Sequence, residues 1–140
     1  MNEPVDIAIK GLQHVGVPVT DIIVSEAFYK RLGFINVMQA SFAHDGEEGI
    51  CIMMKRGEVV IELYQMPQKE LAAVINRKNG HIDHIAFDVP DIDKAFDTLK
   101  AAGFTVIEDA PVFLHFWKKG CRYFNILGPN NERLEFNQVL

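Results

Sequence analysis

The sequence predicts an α+β fold in which two βαβββ repeats form a cupped, mostly antiparallel sheet with helices on its outer face. Three observations predict it. Sliding the chain against itself by 70 residues aligns His14-Val-Gly-Val-Pro-Val-Thr-Asp-Ile with His84-Ile-Ala-Phe-Asp-Val-Pro-Asp-Ile, and the register holds without a gap to Gly33-Phe34 and Gly103-Phe104. In each copy a period-2 segment is followed by a period-3.6 segment. Each copy also ends in a strand-like run with a glutamate between apolar residues, Val60-Ile61-Glu62-Leu63 and Arg133-Leu134-Glu135-Phe136.

Seven of the 21 aligned positions are identical, and they fall at a strand start, a helix cap and a helix stop. Val15, Val17 and Val19 alternate with His14, Gly16 and Pro18, while Ile85, Phe87 and Val89 alternate after His84, so each histidine points away from its strand's apolar face. Asp21 and Asp91 are the expected N-caps. Ile22, Ser25, Phe28, Tyr29 and Leu32 keep helical spacing, as do Ile92, Ala95, Phe96 and Leu99, before Gly33 and Gly103 stop each helix. Strands are expected over Ile35 to Ala43, Gly49 to Met54 and Val59 to Gln65. In the second copy they are expected at Thr105 to Val106, Val112 to Trp117, Arg122 to Leu127 and Arg133 to Val139. Asp45-Gly46, Arg56-Gly57 and Gly128-Pro129-Asn130-Asn131 mark turns. The whole chain, 1–140, reads as one domain: repeat 1 over about 10–66, a polar linker over 67–80, and repeat 2 over about 81–140.

A net charge of -5 without a lysine or arginine cluster argues against nucleic acid and anionic membranes as partners. No stretch approaches the ~20 apolar residues of a membrane span, and the first residues lack the apolar run of a signal peptide, so a cytoplasmic protein is expected. Cys51 and Cys121 are too few for a disulfide scaffold and are read as buried thiols.

By period 2, Glu62 faces the side that His14 faces, and Glu135 stands likewise to His84. Polar residues on the wet face of a strand are ordinarily solvated, but four of ligand chemistry at equivalent places in two repeats point to a metal. Two imidazoles and two carboxylates lining a cup suit one divalent ion such as nickel, zinc, cobalt or manganese. His44, near a turn, and His81, which lacks a repeat partner, are not expected to be ligands.

The stretches His14 to Asp21 with Phe28-Tyr29-x-x-Leu32-Gly33-Phe34, Val60 to Leu63, Asp83 to Val89 and Gly128 to Phe136 resemble the vicinal oxygen chelate superfamily, which includes glyoxalase I, methylmalonyl-CoA epimerase, extradiol dioxygenases and the bleomycin resistance proteins. The order His14, Glu62, His84, Glu135 is most similar to bacterial glyoxalase I (lactoylglutathione lyase)-like proteins. That resemblance implies a lyase or isomerase that moves a proton next to a carbonyl through a metal-stabilised enediolate, with Glu135, or else Glu62, serving as both ligand and base. Pro18 and Met66 replace an arginine and an asparagine of the glyoxalase pattern, which argues against glutathione recognition. The resemblance leaves as alternatives an epimerase of the methylmalonyl-CoA type, a small-molecule-binding protein without chemistry, and an iron-dependent dioxygenase.

The segment from Phe113 to Tyr123 is aromatic and basic. Alternation would put Phe113, His115 and Trp117 on one face. His115 and Trp117, with Arg122, are the expected contacts to a small-molecule substrate. A homodimer is the expected assembly.

Overall fold

A computed structural model describes residues 3–77, 82–127 and 133–140. The linker end at 78–80, His81 and the turn at Gly128-Pro129-Asn130-Asn131 lie outside the described residues. The elements run β1 (Gly11–Pro18), α1 (Ile22–Arg31), β2 (Ile35–His44), β3 (Glu47–Arg56), β4 (Val59–Gln65), α2 (Leu71–Ile75), β5 (His84–Asp88), α3 (Ile92–Ala101), β6 (Val112–Leu114), β7 (Cys121–Leu127) and β8 (Arg133–Val139). This is the predicted βαβββ order, twice. None of the described helices is long and apolar enough to cross a membrane.

The chain divides into two compact units, a first of His14–Asp83 and a second of His84–Leu140 with the segment up to Gln13. In the first, β4 lies parallel to β1, β3 antiparallel to β4, and β2 antiparallel to β3. In the second, β8 lies parallel to β5, β7 antiparallel to β8, and β6 antiparallel to β7. The topology is the same in both: the first strand of each repeat pairs with its last.

Each unit buries its own core under its own helix. Val19, Ile22, Ile52, Met54 and Leu63 form one cluster; Val89, Ile92, Ala95, Phe96, Leu99, Phe124, Ile126 and Phe136 form the other. In the second, Phe124 stacks on Phe136 and meets Phe96 edge-on, with ring centroids 5.2 Å apart in both pairs. Cys51 and Cys121 are buried free thiols, as read from the sequence.

The sequence identities acquire causes in these units. Asp21 accepts from the amides of Ile23 and Val24, and Asp91 from that of Lys94. At the other helix end, Gly33 and Gly103 take φ of +87° and +86°. The amides of Phe34 and Phe104 then reach back to the carbonyls of Tyr29 and Leu99, closing the same left-handed stop twice. Ile22 and Ile92 are core residues whose amides, at the first turn of each helix, have no intrahelical acceptor. Gln65 Oε1 accepts from Ile22 at 2.8 Å, and Gln138 Oε1 from Ile92 at 3.0 Å. Both glutamines stand three residues beyond a repeat glutamate, hence on the opposite, helix-facing side of the strand. Lys30 and Lys100 share no common contact: one pairs with Glu26, the other lies over the Phe96 ring.

Three expectations change. Phe28 and Leu32 are 54% and 49% exposed, so of the apolar stripe Ile22 is buried and Tyr29 packs partly against the core, while Phe28 and Leu32 turn outward. Thr105 to Val106 is no strand but a single bridge from Val106 to Ile126. The predicted strand from Val112 to Trp117 stops at Leu114, because Trp117 and Gly120 take positive φ of +65° and +92° and turn the chain. A side chain at Gly120 would put its Cβ 2.9 Å from the Leu114 carbonyl, which is why glycine stands there.

Replacing Gln138 with leucine should leave the buried Ile92 amide without an acceptor and lower stability by about 1–3 kcal/mol, with Gln65→Leu doing the same at Ile22. An unshifted denaturation midpoint in both variants would refute this pairing of strand end and helix start. A second expectation concerns Arg122, which donates to Asp93 from both terminal guanidinium nitrogens, at 2.8 and 2.9 Å. That hydrogen bonding, more than the charge itself, holds the Asp93 carboxyl below its ordinary value. The folded-state value is depressed, so the contribution is complete above the ordinary carboxylate range and disappears as pH falls through the folded value. Wild type and Asp93→Asn should therefore differ in thermal midpoint at about pH 7 and converge as pH falls through the folded-state value. A gap that persists in acid would contradict the assignment.

Candidate metal centre

His14 enters from β1 and Glu62 from β4, and the parallel register aligns Gly16 with Glu62. His14 thus sits two residues before the glycine opposite Glu62, on one face of the sheet. Gly16 has no side chain to fill the space between them. His14 Nε2 lies 3.8 Å from Glu62 Oε2, with His14 only 1% exposed. On the same face Met53 is paired with Glu62 and Cys51 with Tyr64, so a buried thioether stands beside the carboxylate and a buried thiol one pair further along.

The second unit repeats the geometry. Ala86 is aligned with Glu135, His84 stands two residues earlier, and His84 Nε2 lies 3.4 Å from Glu135 Oε1. Here the carboxylate is also held from behind. Asn137 Nδ2 donates to Glu135 Oε2 at 3.0 Å, and Gln13 Nε2 donates to Asn137 Oδ1 at 3.1 Å. One carboxylate oxygen is thereby fixed in direction and the other turned toward the imidazole. On the far side of the ring, Arg133 Nη2 lies 3.1 Å from His84 Nδ1. A guanidinium can only donate, so Nδ1 accepts and the ring proton belongs on Nε2.

These pairs can be tested against a divalent ion. Ligand atoms bound at ~2.0–2.2 Å in tetrahedral or octahedral geometry stand about 3–3.6 Å apart. The 3.4 Å pair meets this, and the 3.8 Å pair is within a small side-chain adjustment of it. The donors, two imidazole nitrogens and two carboxylates, are those that zinc, nickel, cobalt and manganese accept. One adjustment is chemical: a metal at His84 Nε2 requires the tautomer with its proton on Nδ1, and Arg133 must then turn away.

The substrate contacts expected from the sequence are placed differently from one another. Arg122 lies on the helix-facing side of β7, opposite to the face of Glu135, and is engaged with Asp93, whose hydrogen bonding raises the guanidinium's pKa. The structure does not bring Arg122 to the Glu135 face. His115 and Phe113 meet edge-on at 4.8 Å, but the chain has left the strand by then, and both are exposed. Trp117 stands in the following turn, half-buried, with a strained positive φ and a buried indole N–H that has no hydrogen-bond partner. Apart from these, His44 Nε2 lies 3.0 Å from Glu70 and 3.4 Å from Asp45. The cation in that group is Lys69, whose hydrogen bond to Glu47 raises its pKa.

Asn137, Arg133, Gln13 and Asn125 lie outside the site residues expected from the sequence. Asn137 had a signal, since Glu135-x-Asn137 puts both on one face. So did Asn125, a lone amide between Phe124 and Ile126. Arg133, two residues before Glu135, shares that face by the same rule, but its contact to His84 depends on register across the sheet, as does the role of Gln13.

Residues 11–136 match the family model of the Glyoxalase/Bleomycin resistance protein/Dioxygenase superfamily. No curated protein matches by sequence. Among solved structures, the chain is similar to methylmalonyl-CoA epimerase from Mycobacterium tuberculosis, with a TM-score of 0.76 and 20% identity over 99% of this chain and 94% of that one. It is similar to hypothetical protein BH1468 from Bacillus halodurans C-125, with a TM-score of 0.72 and 24% identity over 92% and 94%. It is also similar to the Mn(II)-bound glyoxalase from Novosphingobium aromaticivorans, with a TM-score of 0.56 and 20% identity over 94% of this chain and 40% of that one. At these identities the structures speak for the fold. The family match covers most of the chain, and the chain belongs to the Glyoxalase/Bleomycin resistance protein/Dioxygenase superfamily.

Proposed function

We propose that this chain is a metal-dependent lyase or isomerase that moves a proton on carbon next to a carbonyl, with His14, Glu62, His84 and Glu135 as ligands of one divalent ion. The observation that carries this reading is the repeated pair: in each unit an imidazole Nε2 and a carboxylate oxygen stand at or near the spacing of two ligands on one ion. When bound, such an ion supplies Lewis-acid stabilisation of the negative charge that appears on the substrate's oxygens as the enediolate forms. The chain's own residues do the rest. Glu135, oriented by Asn137, takes the proton from carbon and returns it to the same or the neighbouring carbon; Glu62 is the second candidate for this base. Trp117 keeps a proposed place in the substrate wall, supported by its unpartnered buried N–H.

Proton transfer of this kind serves a glyoxalase I-like lyase and an epimerase alike. Pro18 and Met66 offer no charge for glutathione, so the substrate is a small α-hydroxy or α-keto carbonyl compound or another thiol conjugate. The fold likeness to methylmalonyl-CoA epimerases makes an epimerase acting on an acyl thioester the second reading. A cytoplasmic location is proposed, and a homodimer as the working form, the dimer being supported by the outward Ile23, Val24 and Phe28 of α1, 77%, 63% and 54% exposed. Phe28→Glu with Val24→Glu should then yield a monomer by light scattering, and an unchanged mass would remove that support.

Metal titration tests the central proposal. Glu62→Ala and Glu135→Ala should each weaken retention of manganese, cobalt, nickel or zinc by about 100-fold or more, whereas a three-ligand dioxygenase site would tolerate the first. In deuterium oxide, the loaded wild type should exchange the α-proton of its substrate, and loss of exchange in Glu135→Gln with metal retained would identify the base. If Glu135→Gln exchanged normally, Glu62 would take the role. Arg133→Met removes both a positive charge and the donor facing His84 Nδ1, so it should tighten metal binding by roughly tenfold. Weaker binding in that variant would contradict the tautomer argument.

A further inference from the structure

Among the described residues, two buried side-chain polar atoms have no hydrogen-bond partner, Trp117 Nε1 and Asn125 Oδ1. Asn125 is the more informative, because its surroundings fix both its position and which end of its amide is free. It is only 3% exposed. Its backbone N–H donates to Glu108 Oε1 at 2.6 Å, and its carbonyl accepts from the Ile107 amide. Both backbone groups therefore face away from β8, which makes Asn125 and Glu135 a non-hydrogen-bonded pair of the antiparallel ladder. In such pairs the Cα atoms are about 4.5 Å apart and the side chains lie close on one face.

Glu108 also fixes the amide. Its second oxygen, Oε2, accepts from Asn125 Nδ2 at 2.9 Å. With both oxygens of one carboxylate used as acceptors, the nitrogen end of the amide must point to Glu108 and the oxygen end away from it. A buried acceptor left without a donor is costly, and it stays so until a ligand supplies one.

We infer that Asn125 is a specificity-determining residue of the Glu135 face: clamped by Glu108, its amide oxygen accepts a hydrogen bond from a substrate hydroxyl or N–H next to the carbon that Glu135 deprotonates. The inference rests on the proton-transfer reading of Glu135. It selects a substrate class, since a hydroxyl or amide N–H satisfies the amide oxygen, while a second carboxylate at that position would meet a lone pair and the negative Glu135 beside it. An α-hydroxy carbonyl compound fits this requirement, and a malonate-type dianion does not.

Glu108→Gln tests it without changing shape. In that variant the Asn125 backbone N–H retains the oxygen of the substituted side chain, whose amide nitrogen must then donate to Asn125 Oδ1. The Asn125 amide turns over and presents Nδ2 to the ligand. With manganese-loaded protein, calorimetric titration of glycolate, which carries a hydroxyl donor, and oxalate, which carries none, reads the consequence. Glycolate should bind roughly tenfold more weakly to Glu108→Gln than to wild type, and oxalate more tightly. Asn125→Leu should lose glycolate affinity by a similar factor without the gain for oxalate. If both ligands bind and their ratio is the same in all three proteins, the inference is overturned and the metal reading stands. If neither ligand binds the wild type, the inference is also overturned, and manganese retention in the same titration shows whether the metal reading falls with it.

Discussion

The parallel pairing of the first and last strands of each repeat is the constraint on which the rest depends. It aligns Gly16 with Glu62 and Ala86 with Glu135, so a small residue faces each glutamate and a histidine stands two positions earlier on the same face. A one-residue slip of either register would send the glutamate to the helix side and Gln65 or Gln138 away from it. The register that forms the histidine-glutamate pair is thus the one that caps the helix through Ile22 or Ile92. Site geometry and helix anchoring are two readings of the same pairing.

Within this common frame the two repeats have diverged in what surrounds the pair. In the first, the carboxylate lies among Met53, Cys51 and Tyr64, a face of soft and apolar groups. In the second, the corresponding face carries Asn137, Asn125 and the Arg133 contact to His84. Polar groups buried at that density demand orientation, and Gln13 and Glu108 supply it by fixing the two asparagine amides. A division of labour follows from the proposed roles: an apolar surround would strengthen the field of a ligand pair, while an oriented polar surround would read the donors and acceptors of a substrate.

Much of this was legible in the sequence because it obeys short-range rules. Period 2 placed Glu62 with His14 and Glu135 with His84, and the aspartate and glycine identities marked helix ends that the structure closes with the same hydrogen bonds. The misreadings occurred where a local rule met a long-range one. Phe28 and Leu32 keep helical spacing, yet Ile22 alone of α1 is buried. Alternation through Val112 to Trp117 failed because positive φ at Trp117 and Gly120 ends the strand, and nothing in a tryptophan announces that conformation. Arg122 looked like a ligand for substrate, but its partner Asp93 lies on a helix 29 residues earlier in the chain. Arg133, Gln13 and Glu108 act through partners 49, 124 and 17 residues away, which no spacing rule reaches.

The central claim is that one ion takes a histidine from each repeat. Electron spin echo measurements on manganese-loaded protein carrying nitrogen-15 histidine test it most directly, comparing wild type with His14→Gln and His84→Gln. Two histidine couplings in the wild type, each lost in one variant, are the predicted result. A single coupling, or two that survive either substitution, would contradict the account.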